Sequence, residues 1–597
     1  MSRSEPGATL ICELVPAGRG SAAQPAFEPG PPILLGKRAR GSADVGTLVT
    51  VELRGRAARV IEVHGPSRSV RAALAALLAS EGAGRPFPPA AAVEADSLTE
   101  GGDEDPGRRD LRGQEVMTVD PEGAKDHDDA IAVAPEGAGL RVWVHIADVA
   151  RFVRAGGPLD REAARRGCSV YVPGTVDPML PARLSADLCS LRPGVDRNAV
   201  TAEIELDAAG AALATRFYRS TIRSHRRLTY PEVDALLEGG ASAEDTGLRA
   251  HVALAARAAR LLRARRMERG ALDAASPEPV VHLAGERVER IELERQTAAH
   301  SLVEELMILA NEAVARYLIA REAPTVFRVH QDPAQARIER LYDQLEELDV
   351  ATPPLPEGPL GPNALRAAAA GAADAVRRHL AGGGGGERAL WSLVLRSLRQ
   401  AYYAHDQVGH SGLASPAYLH FTSPIRRYPD LLVHRALLDA LGIGDPAPDP
   451  AWLAEAAAVS SEAERAAAAI ERRADALCAA FLLRDLLGRG DDDYVAEGEV
   501  VGVIDAGLFV AFDEVFEGFL PARRLADDYY RADPLEVALV GTAGGRRIRV
   551  GDAIAVRVVR IEPLRGRVEL EPAGAGPRTL GPGRGARRRA RTGSRGR

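Results

Sequence analysis

Asp120, Asp126, Asp128 and Asp129 fall in one short stretch, Val116–Val133, which reads VMTVDPEGAKDHDDAIAV. Crowded carboxylates repel one another, and burial raises the cost of keeping them charged. A hard divalent cation is the simplest remedy, and an all-oxygen donor set suits Mg²⁺ or Mn²⁺. A solvated acidic turn is the plain alternative. The flanking text argues against it, because apolar strand-like runs enter (Val116, Met117, Val119) and leave (Ala130, Ile131, Val133), with Pro121 and Gly123 marking a turn between them. An EF-hand is excluded: Ala130, not glycine, follows Asp126-x-Asp128-Asp129, and no glutamate closes a loop of the right length. What remains is a carboxylate metal site of the kind used in phosphoryl-transfer and nuclease chemistry. Lys125, inside the run, offsets part of the repulsion.

A second chemical stretch is YLHFTSPIRRYPDLLVHRAL, Tyr418–Leu437. Ser423 and Pro424 read as a helix or loop start, with Arg426 and Arg427 in its first turn. The planar fork of arginine makes bidentate phosphate contacts that lysine cannot.

These stretches need elements to position them. Met1–Pro32 is rich in Gly, Pro and Ala and reads as a flexible lead-in. Residues 33–66 alternate apolar and polar residues between glycine breaks, as short antiparallel strands do. Ser67–Leu78 is a helix with a serine start signal, inside a helical linker over 67–110 whose end, Gly101–Asp110, is acidic and glycine-rich. In LRVWVHIADV, alternation puts Val142, Val144 and Ile146 on one strand face and Trp143 and His145 on the other. For His145 a satisfied core histidine is favoured over a ligand. A rigid proline-rich loop, two strands (VTAEIELDAAG, ATRFYRSTIRS) and amphipathic helices follow, within residues 111–490. Residues 494–572 read as five short strands separated by glycine turns, which fits an OB barrel. There Phe509, Phe516 and Phe519 with Arg523 and Arg524 make a stacking, basic face, although some of the phenylalanines must fill the barrel. Residues 573–597 are an acid-free, Arg-rich tail, read as disordered.

The chain has 597 residues, 46% hydrophobic and 27% charged, so it is globular and several domains long. A net charge of −7 argues against indiscriminate electrostatic binding of nucleic acid but leaves room for a local basic channel. Cys12, Cys168, Cys189 and Cys478 form no C-x-x-C pair, which speaks against a zinc ribbon and a disulfide scaffold. With no signal segment and no bilayer-length apolar run, a reducing cytoplasm is expected.

TVDPEGAKDHDDA resembles the signature of the ribonuclease R / ribonuclease II (RNB) exoribonuclease family, with its four acidic positions on Asp120, Asp126, Asp128 and Asp129. HFTSPIRRYPDL is similar to a second motif of that family, and GCSVYVPGTVDPMLPARLSADLCSL to a third. The resemblance implies a multidomain α+β protein: an RNB catalytic domain over residues 111–490 with a mixed sheet and packed helices, a partial N-terminal cold-shock-type OB barrel and a C-terminal OB barrel. It implies Mg²⁺- or Mn²⁺-dependent hydrolysis of single-stranded RNA, processively from the 3′ end, to nucleoside 5′-monophosphates, by a monomer with no membrane partner and no organic cofactor. It implies metal ligands Asp120, Asp126 and Asp129, catalytic residues Asp128 and Arg426, and RNA contacts at Tyr171, Tyr230 and Glu471, joined by Phe509, Phe519 and Arg523. It also implies structural roles for Arg427, Asp430, Glu304 and Glu305. Two family aromatics are missing, at Ala274 and Ser411. The competing readings are a catalytically silent RNA-binding protein of the same fold, and an enzyme for DNA or one special RNA.

Overall fold

The computed structural model describes residues 8–18, 20–54, 57–100, 107–239, 246–272, 277–446, 449–488, 494–525 and 528–574. Ala274, Gly101–Pro106 and the Arg-rich tail beyond 574 lie outside the described residues. The chain forms two compact units, 1–332 with 399–486 and 562–567, and 333–398 with 487–561 and 568–597.

The first unit begins with five strands, Thr9–Ala17, Gly20–Pro25, Ile33–Leu35, Thr47–Arg54 and Ala57–Pro66. Within the sheet the third strand pairs with the second, the second with the first, the first with the fourth and the fourth with the fifth. This is the order of an OB barrel opened between its third and fifth strands. The expected lead-in is therefore corrected: Thr9–Pro25 supplies two strands, and the N-terminal module has five strands where a partial one was expected from residue 33. The reason lies in the side chains. Cys12 and Leu14 are fully buried and Ala22 and Ala23 fill the core, so small residues build what their composition disguised. The helix Val70–Ser80 follows, capped by Ser69 Oγ, which accepts from the Ala72 N–H at 3.0 Å. Pro89–Ser97 is a second helix.

The centre of this unit is a seven-stranded mixed sheet. Its spatial order is Arg226–Leu228, Met117–Val119, Asp129–Glu136, Gly139–Ala147, Asp196–Leu206, Ala212–Arg223 and Arg109–Asp110. Neighbours pair antiparallel in the middle and parallel at both ends. Period-two alternation sends Ile131, Val133, Val142, Val144 and Ile146 to one face, onto the helices Thr246–Glu268 and Ala298–Ile319. Ala130, Ala132 and Ala147 face the other way, against Met179, Leu180 and Leu184 and against the helix Tyr428–Ala440. Each large aliphatic side chain buried this way contributes roughly 1.5–3 kcal/mol. His145, on the second face, has no exposed surface, and its Nδ1 lies 2.9 Å from Thr201 Oγ1. Burial pulls its pKa down to about 3, so it is a neutral core residue.

Helix Ala298–Ile319 ties this core to the second chemical stretch. Asn311 Oδ1 accepts from the Phe421 N–H at 2.8 Å, and its Nδ2 donates to Tyr418 Oη at 3.1 Å. Glu305 on the same helix is buried against Arg266, with Oε1 2.6 Å from Nη2. It is a structural ion pair.

The second unit contains the helices Gln335–Glu347, Pro362–Ala381 and Glu387–Ser397. It also contains a closed five-stranded barrel, Val495–Ile504, Gly507–Phe512, Phe516–Pro521, Arg567–Pro572 and Ala553–Glu562. A separate three-stranded sheet, Tyr530–Ala532, Ala538–Gly541 and Arg547–Arg549, lies between the barrel strands in sequence, and ion pairs join this segment to the first helix and the residues after it, Arg549 with Asp349 at 2.9 Å and Arg340 with Glu536 at 3.0 Å. The sequence boundaries placed those helices in the catalytic domain; by contacts they pack with the barrel. Among the described residues no helix is long and apolar enough to cross a membrane.

Candidate active site

The acidic loop joins two adjacent sheet strands. Asp120 directly follows the strand Met117–Val119, its N–H donating to Leu228 O at 3.0 Å, and Asp129 opens the next. The loop between them is fastened from outside by the end of the proline-rich segment. Ser190 Oγ donates to Lys125 O at 2.8 Å and accepts from the His127 N–H at 3.1 Å, while the Leu191 N–H donates to His127 O at 2.9 Å.

Each aspartate but the last has its own partner. Asp128 Oδ1 accepts from the Ile425 N–H at 2.8 Å, and its Oδ2 lies 3.5 Å from Arg426 Nε. That buried Oδ2 has no hydrogen-bond partner among the described residues. Asp126 Oδ2 accepts from the Tyr171 hydroxyl at 2.8 Å, and the Tyr171 N–H donates to Glu471 Oε1 at 2.9 Å. Asp120 Oδ2 lies 2.7 Å from His127 Nδ1. Among the described residues no three His, Cys, Asp or Glu side chains converge tightly enough to cage an ion. The electrostatics record the crowding. Burial drives the Asp128 carboxyl well above its ordinary range, against the pull of Arg426 and the Ile425 N–H. Burial, and then Asp120, push Asp129 up to about 7.

Arg426 stands opposite in a turn. It precedes the helix Tyr428–Ala440, where its first turn was expected. Its Nη2 donates to Ser423 Oγ at 3.0 Å, and its carbonyl accepts from the Ser169 N–H at 3.0 Å. The turn is built on Asp430, which has no exposed surface. Asp430 accepts from the Ser423 N–H at 2.8 Å and from Arg427 Nε and Nη2 at 2.9 and 2.7 Å. The Tyr428 N–H then donates to Gly167 O at 2.9 Å. Gly167 has φ +70°, and a Cβ there would meet Ala463 Cβ at 2.4 Å, so only glycine closes this joint.

Tyr230 stacks on His300 with ring centroids 3.9 Å apart and 16° between planes, and burial, then Asp129 and Asp120, raise its hydroxyl to about 12. Ser411, one of the missing aromatics, is buried, and its N–H donates to His330 O at 2.8 Å, a packing position. Within the barrel unit, Phe509 keeps 36% of its surface exposed and leans on Phe519 at 5.3 Å, while Phe516 is buried in the barrel. Arg523 is exposed, 3.5 Å from Glu569. The expected Asp120, Asp126, Asp128, Asp129, Arg426, Tyr171 and Glu471 thus come together at one place. Sequence reasoning missed His127, Ser190 and the Ile425 N–H. A histidine inside an acidic run was a legible signal; a backbone donor carries none.

Carboxylates at the ends of two adjacent inner strands facing a braced arginine, in a chain with two OB-type modules, define a phosphodiester hydrolase that works on RNA. Residues 108–443 match the RNB domain, and residues 491–571 match the S1 RNA binding domain. Ribonuclease R of Escherichia coli strain K12 is 35% identical over 584 residues, 93% of this chain and 69% of that protein. Ribonuclease R of Vibrio parahaemolyticus is 32% identical over 585 residues, 94% of this chain and 68% of the relative. Among solved structures, Mycoplasma genitalium RNase R in complex with ribose-methylated single-stranded RNA superposes with a TM-score of 0.84 at 23% identity, covering 95% of this chain and 89% of that one. The chain belongs to the RNB family of 3′→5′ exoribonucleases.

Proposed function

We propose that this exoribonuclease degrades single-stranded RNA processively to nucleoside 5′-monophosphates, with Mg²⁺ or Mn²⁺ at the aspartate cluster. The observation that carries the reading is the meeting of two distant motifs: Asp128 is held by the Ile425 N–H at 2.8 Å and faces Arg426 Nε at 3.5 Å. The donor set fits a hard divalent cation. It is all carboxylate, the buried Asp120 Oδ2 has no hydrogen-bond partner among the described residues, and burial, then Asp120, raise Asp129 to about 7. Bound divalent ions supply an activated water and neutralise charge on the phosphate.

Asp120, Asp126 and Asp129 hold the metal. Asp128 orients the attacking water and the terminal nucleotide. Arg426 donates to the phosphate oxygens as negative charge builds on them. Tyr171, Tyr230 and Glu471 contact the last nucleotides, and Phe509, Phe519 and Arg523 gather unpaired bases by stacking and charge. The four cysteines are all free, which suits a reducing cytoplasm. The same reading makes the enzyme a monomer. A silent RNA-binding protein would have no use for the Asp128–Arg426 arrangement. Digestion of 3′- and 5′-labelled RNA with Mg²⁺ tests the proposal: mononucleotides from the 3′ label and a shrinking 5′-labelled strand are expected. Internal cleavage, or none, refutes it.

A further inference from the structure

We infer that His300 is a positioning residue for this site: stacked on Tyr230, it fixes the plane of that ring and so the direction in which the tyrosine meets the last nucleotides. The inference rests on the reading of Tyr230 as an RNA contact. The strand before it sets Tyr230 beside the acidic loop. Arg226–Leu228 runs parallel to Met117–Val119, with Leu228 opposite Val119 and its carbonyl accepting from the Asp120 N–H at 3.0 Å. Tyr230 comes two residues later and opens the helix Tyr230–Glu238. A capping box fixes that helix start: the Thr229 N–H donates to Glu232 Oε2 at 2.7 Å, and Thr229 Oγ1 accepts from the Glu232 N–H at 3.4 Å. Those bonds hold the backbone and leave the ring to its packing. Among the described residues the Tyr230 hydroxyl has no hydrogen-bond partner. The ring packs against the core behind the sheet and stacks on His300, with centroids 3.9 Å apart and 16° between planes.

His300 is held in turn. It is the third residue of the helix Ala298–Ile319, and its Nδ1 accepts from the Thr297 N–H at 3.3 Å and lies 2.8 Å from Thr297 Oγ1. One residue earlier, the Ala299 N–H donates to Asp234 Oδ1 at 2.9 Å, which ties this helix start to the helix that carries Tyr230. Both rings therefore stand on anchored backbones. A stacked aromatic pair shifts an equilibrium by about 2–10-fold beyond the area it buries. Turnover needs the reacting groups aligned, so a tyrosine ring free to turn lowers kcat more than it loosens the hold on the rest of the strand. The plain alternative is a histidine that only caps its own helix. The two roles use different parts of the side chain: the stack needs the flat ring, and the cap needs the acceptor at Nδ1.

The test separates those parts in the full-length enzyme, reading kcat and KM on single-stranded RNA with Mg²⁺ alongside thermal melting. His300→Gln keeps an acceptor suited to this capping position and removes the ring. Its kcat is expected to fall about 3–10-fold, with KM within about twofold and the melting midpoint held. His300→Phe keeps a ring and removes the acceptor. It is expected to recover most of the turnover lost in the glutamine variant while melting earlier. The reverse pattern, with turnover following the melting midpoint, overturns the inference. Should His300→Phe not fold, a double-variant cycle decides. Tyr230→Ala is expected to lower kcat, and His300→Gln added to it to lower kcat no further, because the ring it positions is gone. Losses that multiply overturn the inference and leave the Tyr230 contact standing. A Tyr230→Ala enzyme with parental kcat and KM refutes the contact itself, and the inference with it.

Discussion

Asp128→Asn separates catalysis from folding and binding. The exchange keeps shape, so the oxygen facing the Ile425 N–H at 2.8 Å stays in place, and only the charge beside Arg426 at 3.5 Å is lost. At that separation and an effective dielectric of about 20, the attraction given up is about 5 kcal/mol before screening. The guanidinium side chain is 43% exposed, so water replaces much of it. On the other side of the balance, removing the charge ends a desolvation penalty of several kcal/mol for a buried ion. It also removes repulsion from Asp126 and Asp129. The two sides nearly cancel, so folding stability is expected to stay within about 1 kcal/mol, with the melting midpoint moving by no more than about 4 °C. RNA affinity in EDTA should hold. Turnover should fall by about 10²–10³-fold, the scale of losing one preorganised electrostatic group. End-labelled RNA digestion, filter binding and thermal melting measure the three quantities. A variant retaining more than about a tenth of parental turnover would refute the assigned role, and one that melts early would refute the balance of burial against attraction.

Other expectations follow the same contacts. Asp430→Ala leaves a buried Arg427 and the Ser423 N–H without partners and should cost about 3–5 kcal/mol by chemical denaturation; a loss under 1 kcal/mol would mean the turn braces itself otherwise. Tyr171→Phe keeps the ring but frees Asp126 Oδ2, so turnover should drop several-fold while binding of short RNA in EDTA stays within about twofold, whereas Tyr171→Ala should lose both. Phe509→Ala should weaken single-strand binding by about 1–3 kcal/mol without destabilising the barrel, because the ring is partly exposed, in contrast to the buried Phe516. EDTA should stop degradation and added Mg²⁺ should restore it; activity that persists in EDTA contradicts the metal assignment.

The sequence by itself determined the chemistry and most of the scaffold. Four acids of one type at fixed spacing, and an arginine pair behind Ser-Pro, announce phosphodiester chemistry because residue type and short-range spacing are local facts. Alternation in LRVWVHI was enough to sort Val142, Val144 and Ile146 from His145. The lead-in was misread because Ala22 and Ala23 bury as completely as larger residues without the hydropathy contrast that marks a strand. Only the tertiary structure decided the rest. It put the Ile425 N–H on Asp128 and Tyr171 on Asp126, and packed the helices of 335–397 with the barrel. Those are pairings between residues far apart in the chain, or backbone groups common to every residue. Which partner a buried polar group finds is settled when the sheet closes, not by its neighbours in sequence.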